Sequence, residues 1–238
     1  MPDLSGFWSV LADAIGLVLV WDPDLVEIIG LSLRVTLTAV AVACVIGLPL
    51  GAAAGAFRFP GRTVLVVLLN AAMGLPPVVV GLLVYLMLSA AGPLGTLGLL
   101  YTPTAMIIAQ AVLVTPIVAA LTCQVVADLD AEYSEQFASL QVGPVDRIGA
   151  YLWDARYTLL TVALAGFGRA VAEVGAVMIV GGNIDHATRV MTTTIALETS
   201  KGNLELALAL GIILLCMAVI VNALVMSIRA SAVRAAYA

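Results

Sequence analysis

Long apolar runs, rather than the alternating patterns of soluble helices or strands, organise this chain. A helix needs about 20 apolar residues to cross the hydrocarbon core of a bilayer. Five runs are long enough: 28–57, with Arg34 as its one charge; 63–91, 102–127 and 206–228, with none; and 157–184, which carries Arg169 and Glu173. Lipid offers the backbone no hydrogen-bond partners, so runs of this length read as helices, whereas a membrane barrel would show shorter alternating segments. A further run, 7–20, is too short to cross comfortably and contains Asp13 beside Phe7 and Trp8. It reads as an interfacial helix with aromatic anchors, a tilted sixth span being the alternative.

The pattern predicts an all-α polytopic membrane protein: an N-terminal interfacial segment (1–27), a transmembrane domain (28–228) interrupted by a polar loop (128–156), and a tail (229–238). Composition agrees. Of 238 residues, 63% are hydrophobic and 11% charged, with a mean hydropathy of +1.14. Soluble domains have about a quarter of their residues charged. A net charge of −5 argues against nucleic-acid binding. Cys44, Cys123 and Cys216 all lie in apolar runs and read as small core residues, and a single histidine, His186, makes a histidine metal site a poor expectation. Residues 1–5 carry no basic charge, so no cleavable signal is expected.

Charge placement sets the expected orientation. With five spans, Arg58, Arg62, Arg147, Arg156, Arg229 and Arg234 share one side. Arg189 and Lys201 fall on the other, among Asp22, Asp24, Glu27, Asp185, Glu198 and Glu205. The basic side is expected to be cytoplasmic, and with it the 128–156 loop and the C-terminus. Proline and glycine punctuate the spans at Gly47–Gly51, Gly74-Leu75-Pro76-Pro77 and Thr115-Pro116. Pro76, Pro77 and Pro116 are expected to act as helix-breaking pivots. Each motif also fits close helix packing, but their density favours a moving, cavity-lining bundle. No internal repeat is visible, so a pathway would need a second copy or a partner.

The 128–156 loop is over-long for a connector. Asp128 and Asp130 can cap a helix starting near Ala131, with Glu132 and Glu135 in its first turn. Gly143-Pro144 is expected to end it, and a second helical piece, 145–157, leads back to the membrane. Such a helix is a suitable lever for a soluble partner. The arrangement resembles the cytoplasmic coupling loop of type I ABC importer permeases, with Phe137-Ala138-Ser139 at the Glu-Ala-Ala position and Gly143 at the motif glycine. The motif proline is missing, and Arg156 stands near its place. Residues 70–82 (NAAMGLPPVVVGL), 166–184 (GFGRAVAEVGAVMIVGGNI) and 191–202 (MTTTIALETSKG) resemble tungstate importer permeases more specifically. Molybdate and sulfate permeases share the Arg-Ala…Glu-x-Gly-Ala core of 166–184.

The resemblance spans about 25–228. It implies the type I permease fold with five core transmembrane helices, in a homodimer in the cytoplasmic membrane. Each copy would dock a cytoplasmic ATPase subunit through Glu132, Glu135, Phe137, Ala138, Ser139 and Gly143. An extracytoplasmic substrate-binding protein would deliver the oxyanion: tungstate, with molybdate or sulfate as rivals. ATP and Mg would be bound by the partner ATPase and no cofactor by this chain. Independently, no Gly-x-x-x-x-Gly-Lys-Ser/Thr loop occurs, so ATP chemistry is not local and the chain is not expected to be an enzyme. An intramembrane protease or lipid-modifying enzyme lacks a nucleophile–base pair or metal ligands. A non-ABC channel or secondary transporter leaves the polar loop unexplained.

Arg169 and Glu173, four apart in a span, are expected on one helix face, either as a locking pair or as pathway groups that switch partners. Asn183 follows Gly181-Gly182 and reads as part of an outer gate or dock, or as a simple turn. Thr192 and Thr193, with Thr194, offer uncharged hydroxyls to a passing oxyanion, or form a solvated helix surface. Arg34 snorkels to the interface or makes an electropositive mouth.

Overall fold

The computed structural model describes residue 16 and residues 23–236, and the described residues are helical apart from turns and short connections. The 7–20 interfacial helix falls outside them, Gly16 excepted. In chain order the helices are α1 (Pro23–Ala56), α2 (Arg62–Met73), α3 (Pro77–Leu88), α4 (Pro103–Ser139), α5 (Pro144–Asp154), α6 (Arg156–Val171), α7 (Gly175–Gly181), α8 (Met191–Lys201) and α9 (Leu204–Ala236), with a short 3₁₀ turn at Gly95–Leu97.

Three helices, α1, α4 and the Leu204–Ile228 part of α9, are each long and apolar enough to cross a membrane unbroken. The other two expected spans are broken. The 63–91 run divides into α2 and α3, which meet at 103°, and the 157–184 run into α6 and α7, which meet at 60°. The first break lies where Pro76 and Pro77 remove two successive backbone donors, and α2 closes in tight turns from Gly74 N–H to Ala71 O and from Leu75 N–H to Ala72 O. The second, at Ala172–Val174, contains no proline and corrects the expectation of a continuous fourth span. Pro116 is corrected in the opposite sense: it lies inside unbroken α4. The Thr115 hydroxyl donates to Ala111 O (2.7 Å) one turn back, and the neighbouring turns are buried. A proline whose surroundings fix the flanking turns loosens a helix without ending it.

The chain forms two compact units. One comprises the described residues up to Leu37, 77–109 and 171–221; the other comprises 38–76, 110–170 and the described residues from Asn222 on. In the first, Leu25 and Ile28 of α1 pack with Met191 of α8 and Leu210 of α9. The Ser32 hydroxyl accepts from Met191 N–H (2.8 Å) and so ties α1 to the start of α8. In the same unit α3 lies against α7, where a Cβ on Gly81 would come within 2.7 Å of Ala176 Cα. In the second unit α1 and α4 touch backbone to backbone: a Cβ on Gly51 would lie 2.3 Å from Ala119 O. Glycine is required there by space.

Much of the apolar surface is left outside. Leu215 and Val219 of α9 are 70% and 67% exposed, and Val64, Val67 and Leu68 of α2 are similarly open. Helices this apolar and this uncovered are suited to lipid. Cys216 belongs to this exterior, so it is not a core residue as its sequence setting suggested; Cys123 is buried and Cys44 half-buried.

Candidate functional site

Two regions gather the polar residues that the sequence singled out. The first is the loop after 127. A separate helix capped by Asp128 and Asp130 does not form, because α4 continues through both to Ser139. Its 37 residues amount to about 55 Å of helix, more than the roughly 30 Å that the hydrocarbon core requires, so its polar last three turns need not lie in lipid. Nor does Gly143-Pro144 end it. Gln141 adopts a left-handed conformation (φ 52°), and Gln141 N–H and Val142 N–H return to Ala138 O and Phe137 O. This is a Schellman stop with glutamine in the place usually taken by glycine. Gly143 and Pro144 instead begin α5, as its N-cap and first residue.

The short amphipathic helix of this loop is therefore α5. Its inner face, Ile148, Tyr151 and Leu152, packs against Ala52 and Ala56 of α1 and Val126 and Phe137 of α4. A partly buried polar knot fixes it. Arg147 pairs with Asp130, the Tyr151 hydroxyl donates to the same carboxylate oxygen (2.7 Å), and Arg147 Nε donates to the Tyr151 oxygen (3.1 Å). Tyr151 is fully buried and meets the Phe137 ring edge-on at 5.3 Å. Burial raises the tyrosine above its ordinary range, and the Tyr151 hydrogen bond is the main cause holding Arg147 yet more firmly charged. Of the expected coupling residues, Glu132, Glu135, Ala138 and Ser139 are exposed on the end of α4, Phe137 is half-buried beneath α5, and Gly143 caps α5. The sequence offered Asp130 only as a helix cap and Arg147 only as a loop charge, and Tyr151 was not foreseen. The helical spacing of 148, 151, 152 and 155 was the available signal.

The second region surrounds the α6–α7 break. Arg169 closes α6, whereas Glu173 lies past its end, so the two do not share one continuous helix face. Glu173 is 3% exposed. Its Oε1 accepts from Ala176 N–H (3.0 Å), satisfying a donor at the start of α7, and its backbone carbonyl accepts from the Thr192 hydroxyl (2.9 Å). In the other unit, Gln110 Nε2 donates to Ala170 O (3.1 Å), a carbonyl that the end of α6 would otherwise orphan. After α7 the chain turns through Gly182 and Asn183, both with positive φ. Asn183 Oδ1 accepts from the Thr193 hydroxyl (2.8 Å), and Val190 N–H donates to that same Thr193 oxygen (3.2 Å). Thr193 and Thr194 are buried at 0% and 1% exposure, which corrects the reading of this tract as solvated surface. The structure brings Glu173, Asn183, Thr192 and Thr193 into one network around the break. Pro76 and Pro77 lie at the other break, and Pro116 lies inside α4. Thr188 joins by donating to Gly181 O and accepting from Ile184 N–H, and was not foreseen.

Beside that turn lies a cleft of about 310 Å³ lined by Asp24, Glu27, Asp185, His186, Arg189 and Glu205 among others. His186 Nδ1 is 2.8 Å from Glu27 Oε2, and Arg189 pairs with Asp185 at 2.7 Å. The hydrogen bond to Glu27, then the charges of Asp185 and Glu27, raise the imidazole above its usual value. Glu198, held by Lys201 (2.8 Å) and Asn203 (3.0 Å), is pushed below the ordinary carboxylate range, chiefly by the lysine. Among the described residues no group of three or more His, Cys, Asp or Glu could hold a metal ion. The polar groups brace helix ends and breaks.

Residues 47–233 match the family described as the binding-protein-dependent transport system inner membrane component. A Peptoclostridium acidaminophilum protein named tungstate uptake system permease protein TupB is 41% identical over 91% of this chain and 95% of its own length. The Campylobacter jejuni protein of the same name is 36% identical over 70% of each. A Haloferax volcanii protein named "Probable anion ABC transporter permease protein" is 42% identical over 84% of this chain and 88% of its own length.

Proposed function

The chain belongs to the family of binding-protein-dependent transport system inner membrane components, and from that premise we propose that it is the permease subunit of an ATP-driven importer of tungstate. The observation that carries the cargo is that two relatives named as tungstate uptake permeases align with 91% and 70% of this chain. Two copies flank the pathway, each docking one cytoplasmic ATPase subunit, and an extracytoplasmic binding protein supplies the anion. The end of α4, α5 and the C-terminus face the cytoplasm. ATP and Mg are bound by the partner.

The geometry supports this division of labour. Force applied to α5 passes through the Asp130–Arg147–Tyr151 knot into α4, and α4 is one unbroken rod from the lever to Pro103. The moving parts are the broken spans, where hydrogen bonds from Glu173, Thr192 and Gln110 replace those that a continuous helix would have made. The Asn183–Thr193 bond holds the outer turn, and Arg169, in the last turn of α6, is a candidate pathway residue.

Uptake of labelled tungstate, molybdate and sulfate, measured in vesicles carrying the permease with its cognate ATPase and delivery protein, tests the proposal. Tungstate should enter only with ATP and both partners present. Entry without the ATPase would overturn the importer reading, and a preference for sulfate or molybdate would reassign the cargo.

A further inference from the structure

The lever carries a feature beyond the knot that fixes it. Between the end of α4 and α5 lies an open cleft of about 330 Å³ lined by Tyr133, Gln136, Phe137, Tyr151, Trp153 and Asp154. Phe137 and Tyr151 form its floor, locked edge to face at 5.3 Å. Tyr133 adds a third ring, 6.5 Å from Phe137. Trp153 stands 71% exposed on one side. An indole that open, on a helix whose other face is buried, is available to a partner, and Trp is enriched among interface anchors.

Charge narrows what could cover it. Residues 128–156 hold six carboxylates (Asp128, Asp130, Glu132, Glu135, Asp146 and Asp154) and two arginines. Both arginines are engaged: Arg147 with Asp130 and Tyr151, and Arg156 stacked over Trp153 at 4.7 Å and Tyr157 at 4.5 Å. Asp154, exposed at the rim, makes no ion pair among the described residues. A cleft with an aromatic floor and walls and a carboxylate at its edge matches one kind of side chain above others. A guanidinium can lie flat on a ring while its edge donates to a carboxylate. Arg156 already does the first of these on Trp153.

We propose that this aromatic cleft is a socket for an arginine projected by the ATPase subunit, with the rings of Tyr133, Phe137 and Trp153 taking its flat face and Asp154 its edge. The proposal rests on the coupling reading above and deepens it. Contact is then made in both directions, since α5 offers itself to the motor and also receives a side chain from it. The socket lies directly over the Tyr151 knot, so an inserted side chain pushes on the residue that ties α5 to α4.

Binding of the cognate ATPase subunit to the full-length permease in lipid nanodiscs, titrated at several salt concentrations, tests this. Asp154 and Trp153 are exposed, so their substitution should leave folding intact, which a thermal melt checks. Asp154→Asn and Trp153→Ala should each weaken binding about tenfold, and Asp154→Asn should also flatten its salt dependence. Trp153→Phe should restore most of the affinity and Asp154→Arg should weaken binding more than the asparagine. Wild-type affinity and salt dependence in both first variants would overturn the socket while leaving the coupling reading standing. Loss of affinity in Trp153→Ala with unchanged salt dependence in Asp154→Asn would mean that an apolar group, not an arginine, fills the cleft. Failure of the wild-type permease to bind the ATPase at all would remove the coupling reading and the socket with it.

Discussion

The lever and the broken span handle polar groups in opposite ways. In the lever, Asp130, Arg147 and Tyr151 bond side chain to side chain, and the two charged members keep 21% of their side-chain surface exposed. Around the α6–α7 break, Glu173, Thr192 and Thr193 bond largely to backbone, and Glu173 and Thr193 are nearly or fully buried. The first arrangement fastens one intact helix to another. The second replaces the helix's own hydrogen bonds where it is cut, at positions mostly buried from solvent. A polar deletion should therefore cost stability at the break and coupling at the lever.

The largest stability loss is expected from Glu173→Ala, which leaves Ala176 N–H buried without its acceptor. It should cost on the order of 2 kcal/mol in detergent unfolding, while Glu173→Gln, which keeps an acceptor oxygen, should lose far less. Equal losses in the two variants would show that the charge, not the hydrogen bond, matters at the break. Thr193→Val should follow at about 1 kcal/mol, by removing the donor to Asn183 and the acceptor for Val190 N–H. Asp130→Asn should cost less than about 1 kcal/mol, because the pair is partly solvated, yet it should cut tungstate transported per ATP hydrolysed severalfold. Normal coupling in that variant would break the contrast between the regions. The smallest effect belongs to His186. Its folded pKa is raised by Glu27, so any stability it adds is complete below the ordinary histidine value near 6.5 and is lost as pH rises through the raised value. The melting temperatures of wild type and His186→Gln should differ slightly at pH 6 and converge by pH 9.

The residues made some of this visible and hid the rest for identifiable reasons. Pro76-Pro77 announced the first break because two missing donors act locally, whatever surrounds them. The second break carried no such mark. Ala172-Glu173-Val174 reads as a helix until Glu173 is seen bonded to Ala176 N–H. Asp128 and Asp130 looked like caps because aspartate often is one. The helix runs through them because Asp130 has Arg147 and Tyr151, 17 and 21 residues on, as partners. Thr193 and Thr194 read as surface by composition and proved to be core.

By itself the sequence determined the solvent of this protein, the number of apolar runs and the place of the polar loop. Each follows from summed transfer free energies and local backbone chemistry, which neighbours in the chain suffice to set. Only the tertiary structure decided where a helix stops, which face of the lever is buried and which hydroxyls are spent internally. Those outcomes depend on whether a distant residue arrives to satisfy a freed or buried polar group, and hydropathy along the chain contains no term for that meeting.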